Sequence, residues 1–196
     1  MSNQNIRPAV KHSSIDIFLS ALPANGTASF VFQAPEYGLI EQLLDVGGGN
    51  GMMASLLKQF NPHLKITVFD RADLCESALD LFREKSQNED LGAHAGDILF
   101  EPFPSGFEAI QLSGILETLR PTQIHALLRK VFNALPGGGL LLIYMQIKPG
   151  SHSTRTGRSV SLRPVSQYQD WLQERGFTLM ACRRCAGMHM LLSAVK

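Results

Sequence analysis

The run Leu43-Leu44-Asp45-Val46-Gly47-Gly48-Gly49-Asn50-Gly51 gathers glycines where the chain could meet a ligand. Glycines let the backbone turn tightly and approach a bound group closely. An apolar, strand-like run precedes them, and a helix is expected over Met52–Phe60. The free N–H groups and positive end of that helix favour an anion. Two carboxylates follow at suggestive places. Asp70 closes the next strand-like run, 19 residues beyond Gly51, where a carboxylate can accept two hydrogen bonds from a ligand. Asp97, in Gly96-Asp97, closes a third.

Spacing narrows the ligand without settling it. The Walker lysine and hydroxyl are absent. Counted from Gly47 and Gly49, the third glycine of a dinucleotide fingerprint falls on Met52 and fails. Counted from Gly49 and Gly51, it falls on Ala54, which the alanine variant allows.

The elements that must position these groups alternate along the chain. Strands are expected at Leu43–Val46, Lys65–Phe69, Leu91–Ala95, Phe107–Leu112 and Leu140–Gln146. Helices are expected at 52–60, 74–85 and 121–135. The second has Leu74, Ala78, Leu81 and Phe82 on its inner face, and the third starts at Pro121 and stops at Pro136-Gly137-Gly138-Gly139. Such alternation means an α/β, Rossmann-like doubly wound sheet, mostly parallel. The tail departs from it. A helix over Gln167–Arg175 ends at Gly176, and two apolar runs follow, Phe177–Cys182 and His189–Val195. Their connection is too short for a parallel crossover, so they are expected to be antiparallel neighbours. That feature counts against a dinucleotide dehydrogenase. Before Leu43, Ser13–Leu22 reads as an amphipathic helix, and residues 1–42 are expected to be a helical and loop segment covering the cleft of a domain over 43–196.

Composition bounds the function. The 196 residues are 44% hydrophobic and 18% charged, below the usual ~25% charged, so a well-filled core is expected rather than disorder. A net charge of +1 argues against a duplex nucleic-acid partner. The polar start has no apolar leader, and no stretch approaches a membrane span, so a cytoplasmic location is expected. Cys182 and Cys185 form a lone CxxC with no second pair, and no metal is expected. Among the histidines, His94, His125 and His152 are scattered. The polar stretch 150–159 reads as a basic loop, first of all a mobile solvated one, with cover over the substrate entrance or contact with an acidic partner such as a carrier protein as alternatives.

Asp-x-Gly-x-Gly-x-Gly is complete from Asp45 to Gly51 and resembles motif I of the class I S-adenosylmethionine (SAM) methyltransferases. From Leu43 to about Pro149 the chain looks like the catalytic domain of the plant-type and hydroxyindole-type small-molecule O-methyltransferases. Phe69-Asp70, Gly96-Asp97 with Phe103-Pro104, and the Leu127-Leu128 helix running into the Pro136 glycines follow in that family's order. The resemblance implies a sheet of order 3-2-1-4-5-7-6. It implies that SAM is bound, with S-adenosylhomocysteine as product, by Asp45, Gly47, Gly48, Gly49 and Gly51 at the loop. Asp70 would hold the ribose. Gly96, Asp97 and Ile98 would hold the adenine, with Arg71 over its face, and the backbone near Ser113 would meet the methionyl amine.

Three departures qualify it. Only 42 residues precede Leu43, where the family carries a dimerising helical domain, so a monomer or weak homodimer is expected. The stretch 147–166 is short. Ile115-Leu116-Glu117-Thr118-Leu119 stands where the family shows His-Asp-Trp, which puts Glu117 near the position of the histidine base. A carboxylate can serve as base if burial raises its pKa, it can bind a substrate amine or cation, or it can be an ordinary polar residue at a helix entrance, the reading slightly ahead. Transfer from a sulfonium depends largely on alignment, so losing the histidine does not abolish it. The expected activity is methyl transfer to a small-molecule acceptor, oxygen slightly ahead of nitrogen or carbon. The alternative is a catalytically silent SAM-binding subunit. Adenine or glutamine N-methylation is disfavoured, because Ser113-Gly114-Ile115-Leu116 replaces the Asn/Asp-Pro-Pro-aromatic signature.

Overall fold

A computed structural model of the chain describes residues 32–87, 89–146, 153–155, 158–160, 163–184 and 189–196. The helix expected at 13–22, the residues His152 and Cys185, and most of 147–162 lie outside the described residues.

A 3-10 turn at Pro35–Leu39 leads into β1 (Gln42–Val46). Then follow α1 (Met52–Phe60), β2 (Lys65–Asp70), α2 (Ala72–Glu84), β3 (Leu91–Ala95) and β4 (Ala109–Ser113). A 3-10 turn at Leu116–Thr118 precedes α3 (Pro121–Ala134) and β5 (Leu140–Gln146). The chain continues through β6 (Ser153–Arg155), β7 (Arg158–Val160), α4 (Val165–Glu174), β8 (Thr178–Arg184) and β9 (His189–Val195).

Seven strands form one sheet in the order β3-β2-β1-β4-β5-β9-β8. Counting only its own strands, this is 3-2-1-4-5-7-6. Pairs among β1 to β5 are parallel, whereas β9 runs antiparallel to both β5 and β8. Leu43, Leu44, Asp45 and Val46 are all buried, as a central parallel strand covered on both faces requires. One face packs Met53, Ala54 and Leu57 of α1 and Ala78 and Phe82 of α2. The other packs Ile124, Leu127, Leu128 and Val131 of α3 with Trp171 and Leu172 of α4.

Several boundaries differ from expectation. The second helix begins at Ala72 and buries Cys75, Ala78 and Phe82. Leu74 turns instead toward the cavity described below. The fourth strand starts at Ala109, because Leu43 and Leu140 on its two neighbours fix the register there. Part of the expected basic loop is an antiparallel ribbon, in which Ser153 pairs with Val160 and Arg155 with Arg158. Only Thr156-Gly157 lies between those strands, a hairpin length that polar composition concealed. Phe32, Ala34, Tyr37 and Ile40 are buried in the same cluster as Leu43 and Met53.

Candidate functional site

Order reverses beside β1, whose neighbours are β2 and β4. Open α/β sheets bind ligands at such a switch point, beyond the carboxyl ends of the strands. A cavity of about 300 Å³ lies there, at the small end of the usual range for ligand sites. Gly47, Gly49, Asp70, Arg71, Gly96, Asp97, Ile98 and Ser113, all singled out in the sequence, line it. Leu74, Leu99, Gly114, Ile115 and Thr118 complete the wall. These five carried no chemical signal in the sequence; the crossovers after β2, β3 and β4 bring them in.

Glycine is required at two positions of the loop for different reasons. Gly51 has φ of +78°, and a Cβ there would come within 2.5 Å of Phe82 Cζ. Gly49 has φ of +61° with nothing within 4 Å of a Cβ, so its side-chain space is open.

Asp70 ties the loop to β2. Gly49 N–H donates to its Oδ2 at 2.9 Å, and Arg71 N–H donates to Oδ1 at 2.8 Å. Each carboxylate oxygen keeps a further lone pair for a ligand hydroxyl. The Gly47 N–H donates to the Phe69 carbonyl at 2.8 Å, and the Gly96 N–H to the Asp70 carbonyl at 2.8 Å. The loop and the 96–99 turn are therefore anchored to the same end of β2. Asp97 Oδ1 accepts from Leu99 N–H at 2.7 Å and Phe100 N–H at 3.2 Å, which curls that turn over the cavity. Arg71 is exposed and pairs with Asp73 at 3.0 Å.

Asp45 lies behind the loop rather than in its mouth and is fully buried. Its Oδ1 accepts from Gln111 Nε2 at 3.2 Å and Ser113 Oγ at 3.4 Å. Gln111 Oε1 in turn accepts from the Tyr37 hydroxyl at 2.6 Å. Asp45 Oδ2 has no hydrogen-bond partner among the described residues and lies 2.6 Å from where a Gly48 Cβ would stand. Burial pushes the Asp45 carboxyl up to about 7; donation from Gln111 and Ser113 opposes this, and the Asp70 charge adds to it.

Gly48, Gly51, Asp45 and Glu117 do not line this cavity. Glu117 is buried, at 4% exposure, in the 3-10 turn after β4. Its charge reaches Tyr168, where burial raises the phenol's pKa, Glu117 adds to the rise and Arg163 opposes it. Arg163 itself donates to the Leu119 carbonyl at 3.1 Å. The histidines described stand away from the cavity wall: His94 stacks on Phe69 and His125 meets Trp171 edge-on.

The wall thus offers carboxylates at two adjacent strand ends, apolar surfaces from Leu74, Ile98, Leu99 and Ile115, and a glycine cradle with open space at Gly49. Those features fit a nucleoside with a flat base at one end and a short chain at the other.

Comparison with known proteins agrees. The O-methyltransferase domain matches residues 8–175. The chain belongs to the O-methyltransferase domain family. It is 30% identical over 167 residues to the N,N-dimethyltransferase OxyT of Streptomyces rimosus, covering 78% of this chain and 48% of that protein. It is 27% identical over 170 residues to a 3-hydroxy-5-methyl-1-naphthoate 3-O-methyltransferase of Streptomyces sahachiroi, covering 80% and 49%. Among solved structures, the apo form of the SAM-dependent methyltransferase SibL superposes with a TM-score of 0.80 at 26% identity, over 86% of this chain and 54% of that one. The chain spans about half the length of the curated relatives it matches.

Proposed function

We propose that this chain is a SAM-dependent methyltransferase acting on a small molecule of specialised metabolism, with an acceptor oxygen as the first reading. The supporting observation is the joint anchoring of the glycine loop and the 96–99 turn to the end of β2, with Asp70 between them. Family membership supports methyl transfer, and the named relatives include both an O- and an N-methyltransferase.

In this reading Asp70 accepts the ribose hydroxyls and Asp97 the adenine amino group. Ile98, Leu99 and Leu74 close on the base, and Gly47 and Gly49 let the backbone approach the methionyl chain. When bound, SAM supplies a methyl group on sulfonium that needs little further activation. The protein contributes alignment and exclusion of water. Glu117 is buried and does not line the cavity, so the proposal assigns it no proton transfer.

Calorimetric titration with S-adenosylhomocysteine tests the reading, alongside mass spectrometry of a panel of hydroxylated aromatic acids and aromatic amines incubated with SAM. Binding is expected, with Asp70→Asn weakening it about tenfold. Methylation of amines alone would shift the acceptor from oxygen to nitrogen. Folded protein that takes up no nucleoside would remove the proposal.

A further inference from the structure

Lys130, on α3, reaches toward the 96–99 turn. Its Nζ donates to the Ile98 carbonyl at 2.9 Å and lies 3.4 Å from the Asp97 carbonyl. The same ammonium sits 3.9 Å from the centre of the Phe103 ring and 5.5 Å from that of Phe69. Phe69 and Phe103 meet edge-to-face at 5.1 Å. Phe69 also underlies Gly96, where an added Cβ would come within 2.5 Å of its ring. The lysine therefore bridges helix, aromatic pair and turn. Burial lowers its pKa, while the charges of Asp97 and Glu101 act to raise it.

The tie adds to three others. Gly96 N–H holds the start of the turn to β2, Glu101 N–H donates to the Asp97 carbonyl at 3.0 Å, and the Asp97 carboxylate accepts from Leu99 and Phe100 N–H. Among the described residues only Lys130 donates to the Ile98 carbonyl, and Phe100 is 85% exposed. The main-chain carbonyls of Asp97 and Ile98 accept from Lys130, and those same two residues line the cavity. A cation donating to a carbonyl makes a stronger hydrogen bond than a neutral donor, and its seat on an aromatic face holds the geometry.

We propose that Lys130 is a positioning residue for base recognition: by fixing the Asp97 and Ile98 backbone from behind, it holds the Asp97 carboxylate where a purine amino group can donate to it. This rests on the reading of the cavity as a nucleoside site. It concerns selectivity for the base, acting through the turn rather than by touching the ligand.

The test compares S-adenosylhomocysteine with its inosine counterpart, in which an oxo group replaces the purine amino group, by calorimetry on folded protein. Lys130→Met keeps the apolar stem and loses the charge. The Kd for S-adenosylhomocysteine is expected to rise about tenfold in that variant while that of the inosine compound changes little, so that discrimination collapses. Lys130→Arg, which still donates and stacks, is expected to restore the preference. Equal weakening of both ligands, or of neither, overturns the proposal, because loss of general stability would not change the ratio. If Lys130→Met does not fold, Phe103→Leu removes the aromatic seat and is expected to erode the same ratio. An unchanged ratio there overturns the proposal. Failure of the unaltered protein to bind either ligand would remove the nucleoside reading and this inference with it; binding with unaltered discrimination in the variants removes this inference alone.

Discussion

Raising the pH through the neutral range is expected to destabilise the protein through Asp45. The carboxyl is fully buried and its pKa rises from an ordinary 3.8 to about 7. Between those values the folded state holds a proton that the unfolded state has released, so stability falls as pH rises. The contribution is fully present below the ordinary value and lost as pH climbs through about 7. A gap of roughly three pH units at about 1.36 kcal/mol each makes some ~4 kcal/mol in total. About 2.5 kcal/mol of this should disappear between about pH 5 and about pH 8. Asp45→Asn removes the titration while keeping an acceptor for Gln111 and Ser113. Its amide N–H groups would face the unpartnered side near Gly48, a constant cost of about 1–3 kcal/mol. Urea unfolding at a series of pH values separates slope from offset. The unaltered protein should lose stability relative to the variant by roughly 1 kcal/mol per pH unit in that window. Parallel curves for the two proteins would refute the burial argument, whatever their vertical separation.

Gly51→Ala combines a left-handed backbone with a 2.5 Å approach to Phe82 and should cost more than about 2 kcal/mol in urea unfolding. Gly49→Ala meets no neighbour and should cost about 1 kcal/mol, while its methyl group enters the open cradle and weakens S-adenosylhomocysteine binding. A larger stability loss at Gly49 than at Gly51 would contradict the placement of the loop. Glu36, 3% exposed, is held by an ion pair with Arg183 and by Ser193 Oγ at 2.8 Å. Burial raises its pKa, but the Arg183 and Ser193 hydrogen bonds outweigh that and hold the carboxyl below its ordinary value. Such stabilisation is present above the ordinary carboxylate range and fades as pH falls. Because the arginine is half-exposed, Arg183→Met should cost only about 1–2 kcal/mol near neutral pH, and less near pH ~4. A deficit that does not shrink on acidification would contradict the pairing.

What the sequence determined by itself was local. Apolar runs alternating with helical segments placed the five parallel strands, and the short link between Phe177–Cys182 and His189–Val195 required those two to be antiparallel. The glycine run and the acids at successive strand ends marked the cavity, because each signal lies within a few residues of the turn it serves. Tertiary structure decided the rest. Tyr37 reaches Gln111 across 74 positions, and only that register makes Asp45 a buried acid behind the loop. Leu74 reads as a core residue from helical spacing, yet α2 buries Cys75, Ala78 and Phe82 and leaves Leu74 to the cavity wall. Glu117 occupies the expected place in the chain, but it is buried in the 3-10 turn and does not line the cavity, a placement that no spacing encodes. Lys130 looks like any helical surface lysine until α3 packs across the sheet and brings its charge beneath the 96–99 turn, 32 residues away in sequence. Periodicity reports which face of an element is apolar; which groups then meet across the sheet depends on packing between elements far apart in the chain.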